Sequence, residues 1–336
     1  MKLPVWVLRA CLALIKKGYA QQEGAENLQN CAALPNFALR NFRYFLKGCC
    51  SMNNGIICVT IAALYDKPKD HQIIIDEGLY GMEAEILEKG EKFWKIRMEY
   101  NYEGYVRKEH IQEGNWPEGK KLRVLKNQIA IMDQPNVTSV MLETVTRGGV
   151  IVKAPACEAD ADLKPGWIRV LLADGTEGFT KESFVTDYIP LSFEKPEPAE
   201  GEDPEEWETN LRERLVEAAL GYQGTTYRWG GKSTQGIDCS GLCSMAYLLN
   251  GIKIYRDAAI KPGFPMKAIP VENMKRGDLV MFKGHVAMYL GGERKLYLHS
   301  TARSGSDGVT FNSFLPGDPI YRQDLHEGIL EVASLF

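Results

Sequence analysis

Short apolar runs alternate with turn residues from Ile56 to about Tyr188. The runs are rich in Val, Ile and aromatic residues, and Gly, Asp, Asn and Pro separate them, which is typical of β-strands joined by turns. No helical period is sustained in this part of the chain. The pattern therefore predicts small β-barrels.

A repeated motif indicates that the β-rich part contains two copies of one module. Trp94, followed by residues 103–109 (EGYVRKE), recurs as Trp167, followed by residues 177–182 (EGFTKE). Similarity within one chain at a fixed spacing is the mark of a duplicated unit. Generic turn chemistry of β-barrels is the alternative explanation.

The pattern changes after Leu191. Residues 192–208 are acidic and contain three prolines, so they cannot bury enough apolar surface to fold alone and are predicted to be a solvated linker. From Thr209 to Leu220 apolar residues recur on one helical face. A second helix is predicted over residues 240–250, with Asp238 as its N-cap.

Composition and charge exclude two classes of partner. The chain has 336 residues, of which 45% are apolar and 25% charged, as in ordinary globular proteins. Forty Lys and Arg residues against 44 Asp and Glu residues leave a net charge of −4, which argues against nucleic acid as a partner. Apolar stretches fall well short of the ~20 residues that cross a bilayer, so no membrane span is predicted.

The first 51 residues are predicted to be an extension of uncertain status. Their opening resembles a signal peptide, but Arg9 splits the apolar run and Lys16 and Lys17 follow it. Strand-like patterning begins only after Met52, which we predict to be the true start. Because the cysteine spacing suggests no disulfide framework, a cytoplasmic location is favoured, with export as the alternative.

The candidate nucleophile is Cys239, which follows the N-cap Asp238 and so lies at a helix N-terminus. There the partial positive charge of unpaired N–H groups favours the thiolate. His285 and His299 lie on a predicted hairpin, and a three-residue loop would place them directly opposite each other, with Cβ atoms about 5 Å apart. One histidine would then act as the base and the other would orient it.

A zinc site is the structural alternative for the same residues. Cys239, Cys243, His285 and His299 supply two thiols and two imidazoles, but the Cys-x-x-x-Cys spacing differs from the usual Cys-x-x-Cys knuckle. We predict no metal and no cofactor.

Four motifs in residues 209–336 together resemble the NlpC/P60 cysteine peptidases. They are Tyr227-x-Trp-Gly-Gly, Gly236-x-Asp-Cys-Ser-Gly, Arg276-Gly-Asp-Leu-Val-Met-Phe, and Gly284-His-Val with a later Leu298-His-Ser. The repeated N-terminal motif resembles bacterial SH3 (SH3b) domains. The order of modules resembles γ-D-glutamyl-L-diamino acid endopeptidases of the YkfC type.

The resemblance implies an α+β fold in which a papain-like catalytic domain follows two SH3b-like barrels. The implied segments are an N-terminal extension (1–51), SH3b-like domains (52–116 and 117–191), the linker (192–208) and the NlpC/P60 domain (209–336).

The resemblance also implies a reaction and a set of site residues. The reaction is hydrolysis of the bond between D-γ-Glu and meso-diaminopimelate or Lys in murein peptides, as in peptide recycling. Cys239 would be the nucleophile, His285 the base, His299 its orienting partner and Tyr227 an oxyanion donor.

Four further residues are implied in substrate binding. Asp238 and Ser240 would line the pocket for the free amine of an N-terminal L-Ala, because a carboxylate pairs with an ammonium group. Tyr102 and Glu77, from the first SH3b-like domain, are the candidates for narrowing the cleft.

Two other functions remain open from the sequence. A D,L-endopeptidase would act on intact peptidoglycan and use the SH3b-like domains to bind the polymer. A non-catalytic wall-binding protein would use those domains alone.

Overall fold

The computed structural model of the protein describes residues 53–336, so the predictions for residues 1–51 and for a start at Met52 lie outside the described residues. Two antiparallel sheets follow the apolar runs of the N-terminal half. The first comprises β1 (Asn54–Ile57), β2 (Ile61–Tyr65), β3 (Ile74–Leu79), β4 (Glu83–Lys89), β5 (Phe93–Met98), β6 (Glu103–Arg107) and β7 (Ile111–Glu113). The second comprises β8 (Lys120–Val124), β9 (Gln128–Met132), β10 (Met141–Thr146), β11 (Val150–Lys153), β12 (Trp167–Leu171), β13 (Glu177–Lys181) and β14 (Val185–Asp187).

Both sheets have the same topology. The strand orders are β3-β2-β6-β5-β4-β1-β7 and β10-β9-β13-β12-β11-β8-β14, which match strand for strand. Trp94 in β5 corresponds to Trp167 in β12, so the repeated motif occupies equivalent strands. The duplicated pattern therefore reflects a duplicated sheet.

The two SH3b barrels are not confirmed. Among residues 53–336 each sheet ends in two edge strands and does not close into a barrel. The end strands β7 and β14 have three residues each and pair only with β1 and β8 among the described strands.

The C-terminal region, residues 204–336, combines helices with a six-stranded antiparallel sheet of order β17-β22-β18-β19-β20-β21, as the α+β prediction requires. Its elements are α1 (Pro204–Leu220), β15 (Lys232–Ser233), β16 (Gly236–Ile237), α2 (Cys239–Leu248), β17 (Lys267–Ile269), β18 (Leu279–Phe282), β19 (His285–Gly291), β20 (Leu296–Thr301), β21 (Gly308–Ser313), α3 (Gln323–Glu327) and β22 (Glu331–Ser334). Short 3-10 helices span Lys108–His110, Glu158–Asp162, Glu182–Phe184 and Val271–Asn273. Helix α2 packs against β19 and β20, and α1 packs against α2.

Helix α1 begins five residues before the predicted Thr209 and so includes the end of the predicted linker. The Asp203 carboxylate accepts hydrogen bonds from the backbone N–H groups of Glu205 and Glu206 at 2.9 and 3.0 Å. Pro204 follows at the first helical position, where its missing N–H costs nothing. The acidic composition of residues 192–208 therefore did not indicate that a helix starts there. The boundaries of the predicted segments stay predictions.

One hydrophobic core joins the first sheet to the C-terminal region. It contains Leu64 and Ile96 of the first sheet together with Leu215 and Met245 of α1 and α2. A second core surrounds Ile131 of the second sheet and also includes Ile56 and Tyr80 from the first β-rich module. Among residues 53–336, no helix is long and apolar enough to cross a membrane.

Candidate active site

Cys239 is the first residue of α2, and its side chain is almost fully buried. The Asp238 carboxylate caps the helix by accepting from the N–H of Gly241 at 2.6 Å. Burial, followed by the charge of Asp238, raises the pKa of the Cys239 thiol to about 11, although the N–H groups of Val286 and Ser240 oppose the rise. The expected stabilisation of the thiolate is thus outweighed, and the sulfur needs a base.

The two candidate histidines are in direct contact beside this cysteine. His285 begins β19, and its Nε2 lies 2.8 Å from Nδ1 of His299 on β20. The N–H of Val286, the residue after His285, reaches the Cys239 sulfur. The start of β19, which carries His285, therefore lies against the N-terminus of α2, which carries Cys239.

The prediction that His285 lies directly opposite His299 is wrong. Met288 lies opposite Leu298, and the loop comprises residues 292–295, one residue more than predicted. A bulge near the loop shifts the register by two residues. Because side chains alternate with a period of two, the histidines remain on the same face as diagonal neighbours, which their rings can bridge.

Both histidines are held in the neutral form. Burial, followed by the charge of Arg322, lowers the pKa of His285 to about 4. Burial, followed by the neighbouring His285, lowers the pKa of His299 to about 3. Neutral imidazole has a lone pair that accepts a proton, so both rings are unprotonated and available as a base at neutral pH.

Asn312 extends the chain of hydrogen bonds and was not found by sequence analysis. Its Oδ1 lies 2.9 Å from Nε2 of His299. It lies on β21, where Thr310 pairs with His299 across the sheet. No motif marks it, because the pairing of β21 with β20 cannot be deduced from local pattern.

A cleft of about 390 Å³ opens over Cys239. Its walls include the predicted residues Tyr102, Tyr227, Asp238, Cys239 and Ser240, together with Trp229 and Asp257. Tyr102 belongs to the turn between β5 and β6, so the first sheet supplies part of a wall.

Tyr227 faces the nucleophile from the segment before β15. Its backbone forms a parallel bridge with Ile237, which directly precedes the nucleophile's N-cap. Burial, followed by the charge of Cys239, raises its pKa to about 12. The phenol is therefore protonated and suited to donate a hydrogen bond to an oxyanion.

Comparisons with known proteins identify the family. A model of the NlpC/P60 family matches residues 224–315. The dipeptidyl-peptidase 6 of Lysinibacillus sphaericus is 38% identical over 291 residues, covering 84% of this chain and 100% of that protein. The chain belongs to the NlpC/P60 family. It is therefore a peptidoglycan-related cysteine peptidase.

Two further similarities concern parts of this NlpC/P60 peptidase and its fold. The γ-D-glutamyl-L-lysine dipeptidyl-peptidase of Bacillus subtilis is 35% identical over 149 residues, covering 41% of this chain and 43% of that protein. The crystal structure of an NlpC/P60 family protein from Bacillus cereus has a TM-score of 0.63 and 19% identity, and covers 83% of this chain and 98% of that one. The latter shows a shared fold.

Asp238 of this NlpC/P60 peptidase is fully occupied by hydrogen bonds. Its Oδ1 accepts from Gly241, Ser240 and Arg256, and its Oδ2 accepts from Gly230 and Arg256, all between 2.6 and 3.2 Å. A substrate ammonium group would have to displace one of these donors. The Ser240 hydroxyl is likewise bonded to Arg256 at 2.8 Å. The amine-binding role of Asp238 and Ser240 stays a prediction.

Asp257 is the exposed carboxylate of the cleft, and sequence analysis did not propose it. Its oxygens accept from the Tyr102 hydroxyl at 3.1 and 3.3 Å. In contrast to Asp238, it has no cationic partner in the described part of the chain.

Glu77 does not line the cleft. It is buried on β3, where it pairs with Arg228 and accepts from the backbone N–H of Lys232 at 3.0 Å. Asp76 beside it is equally buried and pairs with Lys232 and Arg256 at 2.9 and 2.6 Å. Both carboxylates join the first sheet to the catalytic region instead of contacting substrate.

The zinc alternative is not supported by the geometry. Within residues 53–336, no three His, Cys, Asp or Glu side chains are grouped in a way that could hold a metal ion. Cys243 lies on α2 and is fully buried in the hydrophobic core.

Proposed function

We propose that this peptidase hydrolyses the bond between D-γ-Glu and the L-diamino acid, meso-diaminopimelate or Lys, in murein peptides with a free N-terminal L-Ala. The observation that carries the proposal is the Tyr102–Asp257 pair in the cleft wall. An exposed carboxylate near the nucleophile suits an ammonium group. The name of the B. subtilis relative, a γ-D-glutamyl-L-lysine dipeptidyl-peptidase, supports the same bond class.

The proposed reaction proceeds through a thioester. His285 takes the proton of the Cys239 thiol as the sulfur attacks the γ-carbonyl carbon, and the Tyr227 hydroxyl donates to the resulting oxyanion. The C–N bond then breaks, and the imidazolium returns its proton to the leaving amine. Water, deprotonated by His285, hydrolyses the thioester and restores the thiol.

Recycling of short peptides in the cytoplasm is the setting that we propose. A substrate with a free amine is the product of prior cleavage of the wall polymer, which agrees with a cleft whose wall carries an uncompensated carboxylate. Wall binding by the two sheets is the competing proposal.

Mass spectrometry of peptide cleavage tests the proposal. With L-Ala-γ-D-Glu-meso-diaminopimelate we expect release of L-Ala-D-Glu, no cleavage of the N-acetylated peptide, and no activity in Cys239→Ala. Asp257→Asn should lower kcat/KM by about 10-fold or more, because a hydrogen bond to a charged group contributes about 1.5–3 kcal/mol. Asp187→Asn, an exposed carboxylate on β14, is the matched control.

Each other outcome has a distinct meaning. Equal cleavage of free and acetylated peptides would replace the proposal with a D,L-endopeptidase that acts on intact peptidoglycan. Binding to sacculi without turnover of any peptide would instead indicate a wall-binding protein.

A further inference from the structure

We propose that Asn312 fixes the tautomers of His299 and His285, and so makes Nδ1 of His285 the atom that receives the thiol proton. Asn312 is thus a positioning residue, since it acts through His299. The inference rests on the thiol chemistry of the proposed function, but it does not depend on which peptide is cleaved.

The orientation of the Asn312 amide is set by a backbone carbonyl. Its Nδ2 donates to the carbonyl oxygen of Ile320 at 2.8 Å, and its Oδ1 lies 2.9 Å from His299 Nε2. Flipping the amide would bring its oxygen against the Ile320 oxygen, two acceptors without a proton between them. The side chain is 8% exposed, so water cannot easily replace these bonds. The amide therefore presents an acceptor to His299.

An acceptor at this position decides which nitrogen of His299 carries the proton. His299 is completely buried and neutral, and a neutral imidazole has one N–H and one lone pair. Because Nε2 must donate to Asn312, Nδ1 holds the lone pair. That lone pair faces Nε2 of His285 at 2.8 Å, so Nε2 of His285 carries a proton.

The lone pair of His285 is consequently on Nδ1. During attack, the S–H bond of Cys239 breaks, its proton forms a bond to this Nδ1, and the electron pair stays on sulfur. The Nε2–H of the resulting imidazolium still donates to His299, so no second proton has to move.

Without Asn312 the histidine pair has two equivalent arrangements. In the second, His299 donates from Nδ1 to Nε2 of His285, and the single proton of His285 then lies on Nδ1. That tautomer satisfies the 2.8 Å contact equally well but offers no lone pair to the thiol. Asn312 removes this inactive arrangement, as the orienting group of a catalytic triad does for its base.

Nitrogen-15 NMR of histidine-labelled protein tests the inference directly. In the wild type we expect protons on Nε2 of both His285 and His299, assigned through the His285→Ala and His299→Ala variants. A proton on Nδ1 of His285 in the neutral wild type overturns the proposal.

Substitution of Asn312 supplies the second arm. Asn312→Leu should add NMR signals of Nδ1–H tautomers. It should also slow the alkylation of Cys239 by iodoacetamide at pH 7 by about 10-fold or more, because general bases contribute about 10²–10⁴-fold. Peptide mass spectrometry measures the alkylation. Ser313 lies on the same strand as Asn312, and its buried hydroxyl donates to the backbone carbonyl oxygen of Arg294. Ser313→Ala should change neither readout.

The two arms separate this inference from the proposed function. Unchanged tautomers and alkylation in a folded Asn312→Leu protein would overturn the role of Asn312. Absence of tripeptide cleavage with the expected tautomers would overturn the proposed substrate and leave the role of Asn312 supported.

Discussion

At the scale of single residues, the proton of the resting active site is bound to the sulfur of Cys239. Burial raises the pKa of the Cys239 thiol to about 11, and burial lowers the pKa of His285 to about 4. The thiol and the imidazole are therefore both neutral over the physiological range. The thiolate of Cys239 and the imidazolium of His285 would therefore form only during attack, when substrate has displaced water from the cleft.

The first prediction concerns the acid limb of the pH profile. His285 must be unprotonated to act as a base, so kcat/KM should fall as the pH falls through about 4, the pKa of His285. A limb near 6.5, the value of an exposed histidine, would contradict the buried, neutral pair. The measurement is the rate of tripeptide cleavage between pH 3 and 8, with circular dichroism confirming folding at each point.

Sequence reasoning selects residues whose signals are local, and it misses residues that tertiary contacts bring to the site. Cys239, its cap Asp238 and the two histidines could be selected from motif and helix signals. Asp257 and Asn312 could not, because a loop and a strand partner bring them to the site. Glu77 was selected as a cleft residue, but it is buried in an ion pair with Arg228, a tertiary contact that the sequence does not reveal.

At the scale of elements, the ends of helices and hairpins decide what the chain positions. Helix α1 begins at Pro204 because the N-cap Asp203 directly precedes it, inside a segment whose composition predicted a linker. The hairpin of β19 and β20 was predicted correctly as a pair of strands, but its bulge was not. Bulges depend on packing of both strands, which a single-strand pattern does not contain.

The second prediction tests the cap of α1. Asp203→Ala should lower the free energy of unfolding by about 1 kcal/mol, because it removes the acceptor for two backbone N–H groups. Glu200→Ala, an exposed acidic residue three positions earlier, should change it by less than about 0.5 kcal/mol. Urea unfolding followed by circular dichroism measures both, and equal effects would show that α1 does not depend on this cap.

At the scale of the whole molecule, buried charges tie the first sheet to the catalytic region. Burial alone would raise the pKa of Asp76, but Lys232 and Arg256 hold it below its usual value. Arg256 also pairs with Asp238, the cap of the helix that carries the nucleophile. The first sheet is thus connected to the nucleophile through three charged side chains.

The third prediction compares this cluster with a surface pair on the same sheet. Asp76→Asn leaves the buried Lys232 without its carboxylate partner and leaves Arg256 with Asp238 alone, and should cost about 3–5 kcal/mol of unfolding free energy. Glu113→Gln breaks a pair with Lys89 in which both side chains are 44% exposed, and should cost less than about 1 kcal/mol. Similar losses in urea unfolding for both variants would contradict a structural role of the buried cluster.

The shared core also has a consequence for synthesis on the ribosome. Asp76 and its partner Arg256 are 180 residues apart, and the second sheet lies between them along the chain. At about 5–20 residues per second, Arg256 is added about 10–40 s after Asp76. During this interval the core around Ile131, which also uses Ile56 and Tyr80, can form. The first sheet meanwhile lacks its apolar partners from the C-terminal region and the counter-charges of Asp76. The first sheet is therefore completed only after the C-terminal region has been translated.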